Sequence, residues 1–227
     1  MSTAFDPRPD AAAERAFVLD RIRKSLSDVP AGEAPEDTAI LRDYRTVETA
    51  PRSEILELFI DRVADYKATV TTVRADELRA AIAKSLAARG VKRLVVPADL
   101  PEGWAPDGLT LLRDPGLTID QLESSDGVLT GCAIGIAQTG TIVLDGGPAQ
   151  GRRVLTLLPD YHLCVVRDDQ VVGLVPEAVA KLGTVMSAPG RPVTLISGPS
   201  ATSDIELNRV EGVHGPRTLE VLVVASS

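Results

Sequence analysis

Residues 193–224 decide the fold, and they read VTLISGPSATSDIELNRVEGVHGPRTLEVLVV. An apolar run ends at Gly198-Pro199, residues rich in hydroxyl and carboxylate groups follow, and a second apolar run begins at Leu219. We predict a buried strand, a turn, the start of a helix and a final strand. Because a helix N-terminus presents unpaired backbone N–H groups and a positive dipole end, it receives anions readily. We therefore expect part of a binding site here.

The preceding half of the chain alternates between helical and strand patterns. Residues 53–66 and 75–89 carry apolar side chains at helical spacing, and Gly90 stands where a helix commonly ends. Residues 67–73 and 94–96 are rich in β-branched residues and predict strands. This alternation is typical of crossover units, so we expect a parallel sheet with helices on both faces.

The middle of the chain has a different pattern. Residues 127–144 carry small and β-branched side chains without charge, interrupted by QTGT at 138–141, which predicts two strands joined by a tight turn. Residues 162–166 predict another buried strand, with His162 as a capping or edge residue. A short helix is expected over 176–183, begun by the proline and ended by the glycine.

The N-terminal region has the pattern of a helical arm. Residues 11–27 predict an amphipathic helix, and 27–50 have the prolines, glycine and acids of an exposed connector. We therefore divide the chain into an N-terminal helix and connector, 1–50, and a main domain, 51–227. The apolar stripe of the helix must be covered either by this chain's own domain or by another chain.

Composition excludes several classes of function. A net charge of −8 and 3% aromatic residues argue against a nucleic-acid surface, which requires basic and stacking side chains. The longest apolar runs are too short to span a membrane, and the N-terminus lacks the apolar core of a signal peptide. We therefore expect a cytoplasmic protein without a membrane span.

The cysteine and histidine content limits metal and redox chemistry. The chain has two cysteines, Cys132 and Cys164, and two histidines, without the spacing of a zinc site. Two thiols cannot build a four-cysteine iron–sulfur cluster. The cysteines are far apart in sequence, so they pair only if the fold brings them together. We expect no metal and no cofactor bound by this chain.

Candidate site residues come from hydroxyl-rich turns and the histidine after them. Ser203 and Glu206 match a helix capping box, which by itself explains both residues structurally. His214 fits either a turn that bonds the backbone or a catalytic group, residues 139–141 fit either a hairpin turn or an anion loop, and Arg152 fits either a solvated cation or an anion ligand. The catalytic candidates are His214, Asp204 and Glu206, and the ligand-binding candidates are Thr139, Gly140, Thr141, Arg152, Gly198, Ser200, Thr202 and His214.

Four motifs together resemble the LUD-domain family: TGT at 139–141, LLPDYH at 157–162, ISGPSATSDIE at 196–206 and GVHGP at 212–216. The resemblance implies a three-layer α/β/α fold with a mainly parallel sheet, similar to the NagB/RpiA/CoA-transferase group, and an N-terminal helix. It also implies a place in a bacterial cytoplasmic system that oxidises L-lactate to pyruvate with iron–sulfur partner proteins. It assigns no catalytic residue. Many relatives carry an acid before Thr-Gly-Thr, whereas Gln138 stands there in this chain; if that acid is a catalytic carboxylate, this chain lacks it.

Three hypotheses follow from these observations. In the first, the chain is a non-redox subunit of the lactate-oxidising system that binds a small anionic ligand, while its partners carry the iron–sulfur clusters. In the second, it is an assembly module that docks a partner through its N-terminal helix. In the third, it is a stand-alone isomerase or acyl-CoA-transferase-like enzyme with Glu206 or His214 as acid or base. A homo-oligomer is compatible with all three.

Overall fold

The structure is a computed structural model, and it describes residues 11–30, 32, 39–186, 191–202, 210–211 and 215–225. The chain divides into two units, Met1–Tyr44 and Arg45–Ser227. In the first unit, helix α1 (Ala11–Ser25) confirms the predicted N-terminal helix, which ends two residues earlier than expected. What covers its apolar stripe stays a prediction. Among the described helices, none has the length and apolar character needed to cross a membrane.

The second unit alternates helices and strands along the chain. In order, these are α2 (Arg52–Asp65), β1 (Thr69–Arg74), α3 (Leu78–Ala88), β2 (Arg93–Pro97), β3 (Thr110–Asp114), α4 (Ile119–Glu123), β4 (Gly127–Thr130), β5 (Ile134–Ile136), β6 (Thr141–Leu144), β7 (Tyr161–Arg167), β8 (Val171–Val172), α5 (Val175–Met186), β9 (Thr194–Ile196), β10 (Ala201–Thr202), β11 (Val210–Glu211) and β12 (Thr218–Ala225).

A six-stranded sheet forms the centre of this unit. Its order is β1-β12-β7-β4-β2-β3, and every neighbouring pair is parallel. Parallel sheets need both faces covered, and β7 and β12 accordingly read as almost continuous buried runs. The predicted α/β class with a mainly parallel sheet is confirmed. The likeness to the NagB/RpiA/CoA-transferase group stays a prediction.

Helix α3 covers one face of this sheet. Its residues Leu78, Ile82 and Leu86, spaced four apart, are all buried in one apolar cluster with side chains of β7 and β12. Each contributes about 1.5–3 kcal/mol on burial. Gly90 follows the helix with φ +65°, and the N–H of Val91 donates to the carbonyl of Leu86 at 3.0 Å. The predicted glycine stop is therefore confirmed.

The opposite face packs against α2 and a second sheet. Phe59 and Val63 of α2 share an apolar cluster with residues of β7, β12 and β6. The second sheet has the order β8-β5-β6-β9, in which β5 and β6 form an antiparallel hairpin. The predicted hairpin turn at 138–141 is confirmed. Strand β4 is separate from the hairpin, because it pairs with β2 and β7 in the parallel sheet.

Helix α5 differs from its prediction at one end. It begins at Val175, one residue before the expected proline, but it continues past Gly183 to Met186. The expected stop at Gly183 is wrong. A glycine inside a helix costs only about 1 kcal/mol relative to alanine. Burial of Ala178 and Leu182 against β5 and β6 offsets this cost.

The C-terminal segment confirms its strands but not their burial. Strand β12 is central, as its apolar run predicts. Strand β9 is the outer strand of the second sheet, and Leu195 is 60% exposed, so the prediction of a buried strand there is wrong. Strands β10 and β11 form an antiparallel pair. The expected helix start at 203–206 lies outside the described residues.

Candidate functional site

A cavity of about 210 Å³ opens beside the first residues of β7 and β12. Its wall is formed by the 3-10 turn Arg153–Thr156, by β9 with the Ser197–Ser200 turn that follows it, and by residues at the start of the two central strands. Open α/β sheets commonly bind ligands at the carboxyl ends of their strands. This cavity lies instead at the amino ends of β7 and β12, beneath the edge strand of the second sheet.

Arg153 supplies the positive charge of the cavity. Its Nη1 donates to the carbonyl oxygen of Thr156 at 3.0 Å and to the Thr156 hydroxyl at 2.8 Å. Among the described residues no carboxylate pairs with this guanidinium. Burial lowers the pKa of Arg153, although an arginine remains charged in proteins. A half-buried arginine held by neutral oxygens is suited to a ligand carboxylate or phosphate.

His162 forms the floor of the cavity. It lies in β7, between β12 and β4, and is 1% exposed. The prediction of a capping or edge residue is therefore wrong, because the strand is interior. Its Nε2 lies 2.8 Å from Oγ1 of Thr130, which is also buried. This contact fixes the orientation of the imidazole ring at the floor of the cavity.

A chain of hydroxyl groups joins the two turns named from the sequence. Thr139 Oγ1 lies 2.7 Å from Thr141 Oγ1, which in turn lies 2.8 Å from Ser197 Oγ. Ser197 lines the cavity, whereas Thr139 and Thr141 do not. The hairpin turn thus supports the cavity wall from behind. Gln138 belongs to the same turn, where its N–H donates to the carbonyl of Gly173 at 2.9 Å.

Two glycines allow these turns to approach α2. Gly140 has φ +57°, and a Cβ added there would lie 2.5 Å from the carbonyl carbon of Arg62. Gly198 has φ +84°, and an added Cβ would lie 2.6 Å from the carbonyl oxygen of Tyr66. Both positions exclude side chains for reasons of packing and backbone conformation. Gly198 also lines the cavity, and Gly140 does not.

Ser200 contributes to the cavity, and its backbone N–H donates to the carbonyl of Pro216 at 2.8 Å. Thr202 lies in β10. Asp204, Glu206 and His214 fall outside the described residues, so their proposed catalytic roles stay predictions.

Arg152 is directed away from the cavity that its neighbour lines. Its Nε donates to Oδ2 of Asp114 at 2.7 Å, and its Nη2 donates to the other carboxylate oxygen. The hydrogen bond from Arg152 lowers the pKa of the Asp114 carboxyl. A bidentate pair with a buried aspartate gives Arg152 a structural role.

Sequence reasoning missed Arg153, Thr156, His162 and Ser197 as cavity residues. The Arg-Arg pair was the available signal, but only the structure separates the arginine bound to Asp114 from the one that faces the cavity. Across the described part of the chain, no three His, Cys, Asp or Glu side chains are grouped so that they could hold a metal ion.

Comparison with known proteins gives one consistent family. Residues 56–224 match the LUD domain. Lactate utilization protein C of Deinococcus radiodurans is 48% identical over 217 residues, which cover 95% of this chain and 98% of that protein. Lactate utilization protein C of Geobacillus kaustophilus is 30% identical, over 65% of this chain and 69% of the relative. The crystal structure of a DUF162 family protein from Deinococcus radiodurans has 47% identity and a TM-score of 0.68, covering 78% of this chain and 99% of that one. The chain belongs to the LUD domain family.

Proposed function

We propose that this chain is a non-redox subunit of a bacterial L-lactate utilisation system, and that its cavity binds a small carboxylate. The system oxidises lactate to pyruvate in the cytoplasm, and iron–sulfur clusters on partner proteins carry the electrons. Relatives named lactate utilization protein C support the metabolic role, since one of them matches nearly the whole chain. The cavity supports the carboxylate.

Arg153 is the observation that carries the ligand assignment. A guanidinium withdrawn from water favours an anionic partner, and the described residues offer it only the oxygens of Thr156. Guanidinium groups bind carboxylates through paired hydrogen bonds with matching geometry. The carboxylate of lactate or pyruvate, placed on Arg153, would supply the missing negative charge.

The remaining polar groups of the cavity suit the oxygen atom on C2 of such a ligand. Ser197, Ser200 and His162 line the same space, and their hydroxyl and ring nitrogen atoms both donate and accept hydrogen bonds. Lactate carries a hydroxyl on C2 and pyruvate a carbonyl oxygen, so either one finds partners beside Arg153. A cavity of about 210 Å³ has room for a small acid of this kind.

The non-redox assignment rests on the cysteine content. A four-cysteine cluster needs four thiolates. This chain has two cysteines, and both are buried in one apolar cluster. Electron transfer is therefore assigned to partner proteins, and substrate or product handling to this chain.

The binding test compares two adjacent arginines. Calorimetric titration of the full chain with L-lactate and with pyruvate should give saturable binding, and Arg153→Met should weaken it by roughly tenfold to a hundredfold, the value of a hydrogen bond to a charged group. Arg152→Met is the matched control, because the Arg152 side chain binds Asp114 outside the cavity. The affinity of this variant for L-lactate and pyruvate should equal that of the wild type. Propane-1,2-diol, which lacks the carboxylate, should not bind.

Two further outcomes decide the rest of the proposal. Failure of both acids to bind wild-type protein would contradict the ligand class. The subunit role is tested by affinity purification from a bacterium that expresses the lactate-oxidising proteins, where iron–sulfur partners should co-purify. Turnover of CoA esters or sugar phosphates by the isolated chain would instead favour the stand-alone isomerase or transferase.

A further inference from the structure

Two cysteines that are 32 residues apart in sequence meet beneath the candidate cavity. Cys164 lies in β7, in register with Thr130, the last residue of β4. Cys132 follows two residues later, and both side chains belong to the same buried cluster. Both cysteines are free, and each thiol shifts the pKa of the other. The fold therefore brings these two cysteines together in one cluster.

Several polar groups lie beside the pair within its apolar cluster. Cys164 Sγ lies 3.7 Å from the carbonyl oxygen of Gly131, and Cys132 Sγ lies 3.7 Å from Oε1 of Gln170. Thr130 and His162, which contact each other at 2.8 Å, both help to lower the pKa of Cys164. Thiols that only fill space in a core are usually surrounded by apolar groups. Here a chain of polar groups runs from the cavity wall at His162 to the two sulfurs.

These surroundings make the two thiols unequal. The interaction with Cys132, assisted by those with His162 and Thr130, lowers the pKa of Cys164. The same interaction, together with burial, raises the pKa of Cys132. Such a pair has the chemistry of an attacking and a resolving cysteine, because the thiolate is the nucleophile.

Gln170 contacts Cys132 from a turn at the protein surface. Its Nε2 donates to the carbonyl of Cys132 at 2.7 Å, and its Oε1 accepts the N–H of Arg167 at 2.9 Å. Gln170 belongs to the surface turn Asp168–Gln170 and is half-buried, whereas Cys132 is 4% exposed. Displacement of one side chain therefore gives a small oxidant a path to Cys132 and its neighbour.

We propose that Cys132 and Cys164 form a peroxide-sensitive dithiol that closes to an intramolecular disulfide. In the first step the Cys164 sulfur attacks one oxygen of hydrogen peroxide and the S–O bond forms as the O–O bond breaks. The departing hydroxide takes the Cys164 thiol proton and leaves as water, so that Cys164 becomes a sulfenic acid. In the second, the Cys132 sulfur attacks the Cys164 sulfur, the S–S bond forms, the S–O bond breaks, and the departing hydroxide takes the Cys132 proton as water. Sulfur is oxidised and peroxide is reduced.

The test measures thiols in the native full-length chain. The protein is treated with hydrogen peroxide, unfolded in iodoacetamide and analysed by intact-mass and peptide mass spectrometry. Loss of both alkylation sites, a mass lower by two hydrogen atoms, and reversal by dithiothreitol are expected, with the protein still monomeric on a non-reducing gel. Retention of both thiols, at a peroxide dose that oxidises the urea-unfolded chain, would overturn the proposal.

Variants assign the steps. In Cys132→Ser, Cys164 should stop at a sulfenic acid that dimedone traps, and in Cys164→Ser, Cys132 should stay reduced. Gln170→Ala should oxidise several-fold faster than wild type, whereas Gln121→Ala, which removes a capping side chain of α4, should not. Oxidation of Cys132 at the wild-type rate without Cys164 would contradict the order of attack. The wild-type mass result remains decisive even if a serine variant is unstable.

Discussion

The Thr141 hydroxyl lies 2.8 Å from the Ser197 hydroxyl, across the junction between the β5–β6 hairpin and the segment that lines the cavity. Thr141 is buried and bonds Thr139 as well, so one side chain fixes both turns. The position of Ser197 at the cavity wall therefore depends on a residue that does not itself reach the cavity.

Thr141→Val, which keeps the shape and removes the hydroxyl, should destabilise the protein by about 1–2 kcal/mol, the net value of two hydrogen bonds. It should also weaken carboxylate binding, because Ser197 loses its anchor. Urea denaturation and calorimetry measure the two effects. Thr72→Val is the control, because Thr72 is an exposed residue of the edge strand β1 and such changes stay within about 0.5 kcal/mol. Equal stability of the two variants would show that the hydroxyl chain contributes nothing.

Gly198→Ala should be strongly destabilising, whereas Gly183→Ala should stabilise. At Gly198 the φ of +84° and the contact with Tyr66 both oppose a Cβ, and the left-handed conformation alone costs about 1–3 kcal/mol. At Gly183 no atom lies within 4 Å of an added Cβ. Alanine there restricts the unfolded chain and gains about 0.4–1 kcal/mol. Denaturation midpoints measure both, and effects of the same sign would contradict this account.

Arg152→Met should make the free energy of unfolding less dependent on pH in the acidic range. The folded-state pKa of Asp114 is lowered by its hydrogen bond with Arg152, so this contribution is present above the unfolded pKa of about 3.9 and is lost as pH falls through the folded value. The difference in unfolding free energy between wild type and variant should therefore be largest near neutral pH and should shrink towards about pH 2. Arg74→Met, which removes an exposed ion pair with Asp76, should show little difference at any pH. If the difference in unfolding free energy between wild type and Arg152→Met is the same at every pH, the Arg152–Asp114 ion pair is excluded as its cause.

The sequence predicted the architecture better than the site, for a physical reason. Local periodicity and the glycine after α3 specify helices and parallel crossovers through near-neighbour interactions. Burial of His162 and exposure of Leu195 depend instead on which strands become central and which become edges, and strand order follows from packing between distant segments. Likewise, consecutive arginines are equivalent in sequence until Asp114 binds one of them. The meeting of Cys132 and Cys164 has the same origin, since adjacent strands bring them together.

Tyr161 makes stability sensitive to alkaline pH. Its hydroxyl donates to Glu220 at 2.8 Å on the α3 face of the sheet, where Ser85 and Arg89 also bind Glu220. Burial and then the negative charge of Glu220 raise the pKa of Tyr161 above its usual range. The unfolded chain therefore ionises this tyrosine first, and its contribution, present below about pH 10, is lost as pH rises further.

Tyr161→Phe should consequently flatten the fall in unfolding free energy above about pH 10, while lowering stability near neutral pH through the lost hydrogen bond. Urea denaturation at a series of pH values measures both effects. Tyr44→Phe is the control, because Tyr44 is 56% exposed and should leave the alkaline slope at its wild-type value. Parallel slopes for wild type and Tyr161→Phe would show that other groups cause the alkaline loss, since removing a raised tyrosine pKa must change the number of protons released on unfolding.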